Sequence, residues 1–156
     1  MKKHENTQHP AKGTLKIIPL GGLGEVGANM MVYEYDQQIL VVDTGLMFPE
    51  NDMLGIDYII PDISYLKERR NKVKGIVITH GHEDHTGAIQ HVLEEINAPI
   101  YATPLTRGLL EVKLAKNGMA QRAHLETVKA GESRKIGPFT VDFFHVCHSI
   151  PDGVGL

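Results

Sequence analysis

The stretch that decides the fold of this chain is Gly75-Ile76-Val77-Ile78-Thr79-His80-Gly81-His82-Glu83-Asp84-His85. Its first four residues form an apolar run that predicts a short buried strand, and the pattern after it predicts a helix. Alternate side chains of an extended segment share a face, so His80, His82 and Asp84 can converge while Gly81 lets the backbone bend. His85 turns with the first helical residues and can face a neighbouring point. The stretch therefore predicts a cluster of side chains in one strand-to-helix loop.

These side chains are good metal ligands. Imidazole nitrogens with a carboxylate oxygen suit zinc, manganese or iron better than calcium or magnesium. The helix directs its positive end at the loop, which favours an ionised Asp84. Surface loops also collect histidine and aspartate without binding an ion, but four ligand-type residues within six positions, directly after an apolar strand, favour a metal site.

Composition sets broad limits on the class of protein. The 156 residues are 42% apolar, so we expect one α/β domain that buries about two-thirds of its unfolded surface. Cys147 is the only cysteine, which excludes an intrachain disulfide and predicts a small buried side chain. The first residues lack a signal peptide pattern, and no stretch is long enough to span a bilayer, so we expect a cytoplasmic protein. The net charge of -3 neither favours nor excludes RNA, because two divalent metals would add a local charge of about +4.

The remaining patterns alternate strands with helices, which is typical of a layered α/β fold. Residues 1–13 are polar and predict a flexible tail, in which His4 and His9 have no ligand spacing. The domain is expected over 14–156, with an acidic loop at 46–62. We expect helices at 63–70, 86–97 and 105–116, and strands at 15–20, 31–35, 39–43, 75–78, 99–102, 125–128 and 139–147. The helix at 86–97 should bury Ile89, Val92, Leu93 and Ile96 and leave His91 exposed.

A glycine cluster after the first strand imitates a dinucleotide-binding motif. Gly22, Gly24 and Gly27 match the spacing G-x-G-x-x-G, and Asp43 lies near the expected acidic position. That motif requires a helix next, whereas the residues that follow favour β-structure up to Asp43. The chain is therefore expected to form a hairpin here, and NAD or FAD binding is not favoured. From its position beside Thr44 and Gly45, Asp43 itself is expected to cap a turn.

The spacing His-x-His-x-Asp-His at 80–85 resembles the signature of the metallo-β-lactamase superfamily, which binds two metal ions at the edge of an αββα sandwich. Further blocks are similar to the ribonuclease J branch of the β-CASP nucleases within that superfamily. These blocks are LGGLGEVG at 20–27, VVDTGLMFP at 41–49, LGIDYIIPD at 54–62 and HSIPD at 148–152. The resemblance implies an incomplete sandwich, the amino-terminal part of the domain, with the β-CASP domain absent from this chain.

The same resemblance implies a set of site residues. His80, His82 and His148 would hold one metal, and Asp84 with His85 would help hold the other. The ions would be two Zn²⁺, with Mn²⁺ as the alternative, and Asp84 would be the catalytic residue that orients or deprotonates water for attack on a phosphodiester. Asp43 would support the metal-binding loop. A structural calcium site would use the Gly55 carbonyl and the Asp57 carboxylate.

The implied function is an RNA-degrading hydrolase of RNA maturation and decay. It would act from the 5′ end, with internal cutting as a further activity, and assemble as a homodimer or homotetramer. The family pattern continues beyond Leu156 with a bridging Asp, a distal His and the β-CASP domain, so a polypeptide ending there should have weak or no activity. The alternatives are another hydrolase of the superfamily, acting on thioesters, lactams or tRNA precursors, and a metal-binding or RNA-binding module without turnover.

Overall fold

The computed structural model describes residues 13–156, so the predicted tail with His4 and His9 lies outside the described residues. The helices are α1 Ser64–Lys67, α2 Glu83–Thr86, α3 Ile89–Glu95 and α4 Pro104–Lys116, and a 3-10 turn covers Arg70–Lys72. The strands are β1 Leu15–Gly21, β2 Met30–Tyr35, β3 Gln38–Val42, β4 Val73–Val77, β5 Ile100–Ala102, β6 Leu125–Thr127, β7 Ser133–Ile136, β8 Phe139–Asp142, β9 Phe144–His145 and β10 Val154–Gly155. Within this range no helix is both long and apolar enough to cross a bilayer.

Six strands form one mixed sheet in the order β1-β2-β3-β4-β5-β6. The first three are antiparallel neighbours, and β3 to β6 run parallel. No helix follows the glycine cluster, and β2 and β3 pair antiparallel across a tight turn after Tyr35, so the expected hairpin is confirmed. Two small antiparallel sheets, β7-β8 and β9-β10, complete the β-structure. The α/β fold prediction is confirmed.

Apolar side chains cover both faces of the central strand β4. Ile76 and Ile78 point into a core shared with Ile89 and Leu93 of α3, and all four are at most 1% exposed. Val77 points to the other face, into a second core formed with the small sheet β7-β8. Each fully buried side chain of this size stabilises the fold by about 1.5–3 kcal/mol. The end of β4, from which the His-rich loop starts, is therefore held between helices and a second β-layer.

The predicted helix over 86–97 is interrupted. The structure has α2 and α3 instead, because the backbone N–H of Ala88 donates to the carbonyl of Thr44, at 2.8 Å, rather than to a helical carbonyl. A Cβ on Gly87 would also lie 2.2 Å from Leu46 Cγ, so the loop after β3 packs directly against this break. The predicted apolar face is confirmed, since Ile89, Val92, Leu93 and Ile96 are all buried.

The predicted strand over 139–147 is wrong as one element. Phe143 bonds with its N–H to the carbonyl of Glu132, at 2.9 Å, and then the chain leaves β7 and pairs β9 with β10. Side-chain alternation cannot reveal a change of pairing partner, because it reports which face is buried and not which strand lies alongside. Cys147 is exposed, so its prediction as a small buried side chain is also wrong.

Candidate metal centre

The His-rich loop, residues 79–85, joins the carboxyl end of β4 to α2. It brings His80 and His82 together with His148, which lies 66 residues after His82 in the loop between β9 and β10. That later loop is fixed to the first one, because the Val154 N–H donates to the carbonyl of Thr79 at 3.0 Å. It is fixed to α4 as well, since Asp152 accepts a hydrogen bond of 3.1 Å from the Leu105 N–H.

The three imidazoles face one another across a small space. One ring nitrogen from each of His80, His82 and His148 lies within 4.8 Å of the others. The ring centroids are 4.5 to 4.8 Å apart, and the ring planes are steeply inclined to one another. His80 is 7% exposed, His82 is half-buried and His148 is exposed, so the group opens toward solvent on the side of His148.

His80 carries the feature that points most directly to an ion. Its Nε2 atom is buried and has no hydrogen-bond partner among residues 13–156. The Thr79 hydroxyl donates to Asp43 and lies 3.0 Å from His80 Nδ1, so its lone pair can accept the Nδ1–H of His80. This arrangement leaves a lone pair on Nε2, where a metal would bind. A buried polar atom without a partner is otherwise costly.

Burial and the neighbouring histidines disfavour a proton on His80. Burial contributes most, followed by His85, His148 and His82, and together they lower the pKa of His80 to about 4. His80 is therefore neutral at pH 7, the state that binds metal.

A second pair, Asp84 and His85, lies in α2 beside this group. His85 Nε2 lies 3.4 Å from Asp84 Oδ2, and the ring centroids of His85 and His80 are 4.1 Å apart. His85 Nδ1 lies 2.7 Å from Asp43 Oδ2. Burial opposes protonation of His85, but the bond to Asp43 and the charges of Asp43 and Asp84 outweigh it and raise the pKa of His85.

Asp43 lies beneath the loop and binds three of its polar groups. The carboxylate accepts the Thr79 N–H at 2.8 Å and the Thr79 hydroxyl at 2.9 Å, in addition to the bond with His85. It adopts a left-handed conformation with φ of 62°, which Asp and Asn tolerate better than most residues. The side chain of Asp43 therefore supports the His-rich loop, which is one of the two roles considered from the sequence.

A comparison of the sequence with known protein families matches residues 23–152 to the metallo-β-lactamase superfamily. The matched range includes the His-rich loop and His148. The chain belongs to the metallo-β-lactamase superfamily. This membership agrees with the mixed sheet and with the site at its edge.

Two curated relatives confirm the resemblance to ribonuclease J. Ribonuclease J of Synechocystis sp. is 48% identical over 150 residues, which are 95% of this chain and 23% of that protein. Ribonuclease J 2 of Staphylococcus aureus is 43% identical over 142 residues, 91% of this chain and 26% of that protein. The chain therefore spans about a quarter of the length of these relatives.

A solved structure supports the fold of this superfamily member. A subclass B3 metallo-β-lactamase isolated from a soil metagenome library superposes with a TM-score of 0.61 at 23% identity. The overlap covers 82% of this chain and 50% of that one. At this identity the likeness concerns the fold alone.

Sequence reasoning missed Asn29, which lies in the hairpin after the glycine cluster. Its side-chain amide donates to the Asp84 carbonyl at 3.0 Å and lies 3.3 Å from both Asp84 Oδ2 and His85 Nε2. Its backbone N–H also donates to the Asp84 carbonyl, at 3.1 Å. The only signal in the sequence was its position, since Asn29 lies between the glycine cluster and β2.

The structure does not assemble the residues of the predicted calcium site into a cluster of side chains. Gly55 and Asp57 lie exposed in the acidic loop, and in the described range no group of three ligand side chains includes Asp57. The loop is attached elsewhere, because the Tyr58 hydroxyl lies 3.0 Å from His91 Nε2. His91 is consequently half-buried, not exposed as the sequence predicted. The calcium site stays a prediction.

Proposed function

We propose that this chain forms the metal-binding part of a ribonuclease that hydrolyses RNA phosphodiesters. The observation that carries the proposal is the convergence of His80, His82 and His148 around a buried, unpartnered His80 Nε2. The identity of 43 to 48% with two ribonucleases J supports RNA as the substrate.

The residues present fit a pair of divalent ions. His80, His82 and His148 would hold one ion, and Asp84 with His85 would help to hold the other. Three imidazoles around one point suit Zn²⁺, and the added carboxylate at Asp84 also suits Mn²⁺. We propose two Zn²⁺, with Mn²⁺ as the alternative.

The ions and the surrounding side chains would have different roles in hydrolysis. When bound, such ions lower the pKa of water and offset the negative charge that builds on the phosphate oxygens. Asp84 is 43% exposed at its side chain and is oriented by Asn29, so its carboxylate can accept a proton from attacking water. A cavity of about 440 Å³ beside His82 and Asp84, bordered by Val26 and Phe48, gives the substrate access.

The proposal extends to the activity and assembly of the complete enzyme. We propose that it degrades RNA from the 5′ end and also cuts internally, in RNA maturation and decay. It would act in the cytoplasm as a homodimer or homotetramer. Among residues 13–156, only Asp84 and His85 are proposed to hold the second ion, so we expect that ion to be lost first and turnover to be weak or absent.

Metal analysis and a nuclease assay test the proposal together. We expect the purified chain to retain at most one tightly bound metal by mass spectrometry, and residual decay of 5′-monophosphorylated RNA to stop with chelator. His82→Ala should abolish metal retention, whereas His124→Ala, at an exposed histidine outside the cluster, should not. Hydrolysis of a thioester or lactam without RNA decay, or metal retention that His82→Ala leaves unchanged, would contradict the proposal.

A further inference from the structure

A polar pocket lies at the opposite edge of the six-stranded sheet from the candidate metal centre. Its walls come from segments that precede β4, β5 and β6, three neighbouring parallel strands, whereas the His-rich loop follows the carboxyl end of β4. At about 3.3 Å per residue, the two sites are about 20 Å apart along β4. The pocket has a volume of about 440 Å³ and is lined by Arg70, Asn71, Val73, Glu95, Asn97 and Arg122.

The segment leading into β4 is unusually basic for a chain with a net charge of -3. Residues 67–74 contain five lysines and arginines and one acidic residue. Some of this charge is already paired: Lys67 Nζ lies 2.7 Å from Glu95, and Arg69 lies 2.9 Å from Glu68. The first of these pairs neutralises the one carboxylate that lines the pocket.

The two arginines of the pocket keep most of their donors free. Arg70 is exposed and forms no salt bridge or side-chain hydrogen bond within residues 13–156. Arg122 donates once, from Nη2 to the Glu94 carbonyl at 3.3 Å, which orients its guanidinium and leaves its other N–H groups available. The amide side chains of Asn71 and Asn97 add further donors at the same place.

We propose that this pocket binds a phosphate group. Two guanidinium forks from separate segments need more acceptor oxygens than a single carboxylate supplies, and a phosphate supplies them. If the proposed ribonuclease function holds, the phosphate is a phosphodiester of the RNA strand, bound away from the bond that is cut. A free phosphate ion has the same chemistry and is the other source that the experiment distinguishes.

RNA binding measured in the absence of metal reports on this pocket without a contribution from bound metal ions. The anisotropy of a fluorescein-labelled oligouridine is followed with the 156-residue chain in excess EDTA, at several salt concentrations. Arg70→Ala combined with Arg122→Ala should weaken binding about tenfold and lower the salt slope by about 0.7 to 1.4, the value for one or two lost phosphate contacts with a single strand. The matched control, Arg134→Ala with Lys135→Ala, removes the same charge from exposed positions of β7 and should leave both values unchanged.

A second titration uses inorganic phosphate and follows the side-chain amide signals of Asn71 and Asn97 by NMR. These signals should shift in the wild-type chain and stay fixed in the Arg70/Arg122 variant. Loss of the shifts with unchanged RNA affinity would assign the pocket to free phosphate. Unchanged values in both titrations, or an equal loss in the control variant, would overturn the proposal. Metal retention that His82→Ala leaves unchanged would refute the proposed function, while the phosphate titration would still decide the pocket.

Discussion

Replacing Asp43 by Asn tests how the loop is prepared for metal. Asn has the shape of Asp and tolerates the left-handed φ of 62°, so the backbone should be preserved. The remaining oxygen can still accept from the Thr79 N–H. The new NH₂ group, however, takes the place of the oxygen that lies 2.7 Å from His85 Nδ1. Two N–H groups would then oppose each other, and His85 would move its proton from Nδ1 to Nε2.

The size of the loss in metal affinity follows from the proton on His85 Nε2. With Nε2 protonated, His85 cannot donate a lone pair to an ion beside Asp84. Loss of a hydrogen-bond partner of a ligand typically costs 10- to 100-fold in metal affinity, about 1.4 to 2.8 kcal/mol. We expect the free energy of unfolding of the metal-free protein to fall by about 1–3 kcal/mol, because one bond to a charged group is lost.

The assay is calorimetric titration of Zn²⁺ into metal-free protein, with urea unfolding in parallel. The matched control is Asp36→Asn, an exposed turn residue that also has a left-handed φ, of 48°. Asp36→Asn should change neither the zinc affinity nor the free energy of unfolding. If the affinity for the second, weaker zinc ion in Asp43→Asn stayed within threefold of the wild type, the reasoning would be refuted, because the proton position on His85 would then be irrelevant to binding.

Three further predictions concern packing, a buried carboxylate and calcium. Gly45→Ala should destabilise the fold by at least about 3 kcal/mol in urea unfolding, because its Cβ would lie 1.7 Å from the Asp84 carbonyl oxygen. Gly108→Ala, with open space around its Cβ in α4, should instead stabilise by about 0.5–1 kcal/mol, and equal effects would contradict the packing argument. Burial and the bond to Glu34 raise the pKa of Tyr65 to about 12, so the stability from this pair is complete below about pH 10 and lost as the pH rises through 12. An ultraviolet titration should show a tyrosine ionising near pH 12 that Tyr65→Phe removes. This variant should lose about 1.5–3 kcal/mol because the carboxylate of Glu34 loses a donor. If the acidic loop binds calcium, adding Ca²⁺ should raise the melting temperature and Asp57→Asn should abolish the increase; a loop without a site would show no increase.

Local patterns were sufficient for most of the sheet and for proposing the ligand-type side chains of the His-rich loop. The apolar run before Thr79 predicted β4, and β-forming residues after the glycine cluster correctly excluded a dinucleotide-binding helix. Both signals are properties of neighbouring residues, which is why they can be read without the fold. The break at Ala88 could not be read in this way, because its N–H bonds to Thr44, 44 residues earlier in the chain.

By itself the sequence determined the chemistry of the site: a strand that must be buried, followed by imidazoles and a carboxylate spaced to share a face. Only the tertiary structure decided which distant groups join them. It placed His148 against His80 and His82, and Asn29 against Asp84. It also set the side-chain proton of His80 through Thr79 and Asp43. The physical reason is that spacing along a strand or helix fixes direction over a few residues, whereas contact between segments depends on how sheets and helices pack around a common core.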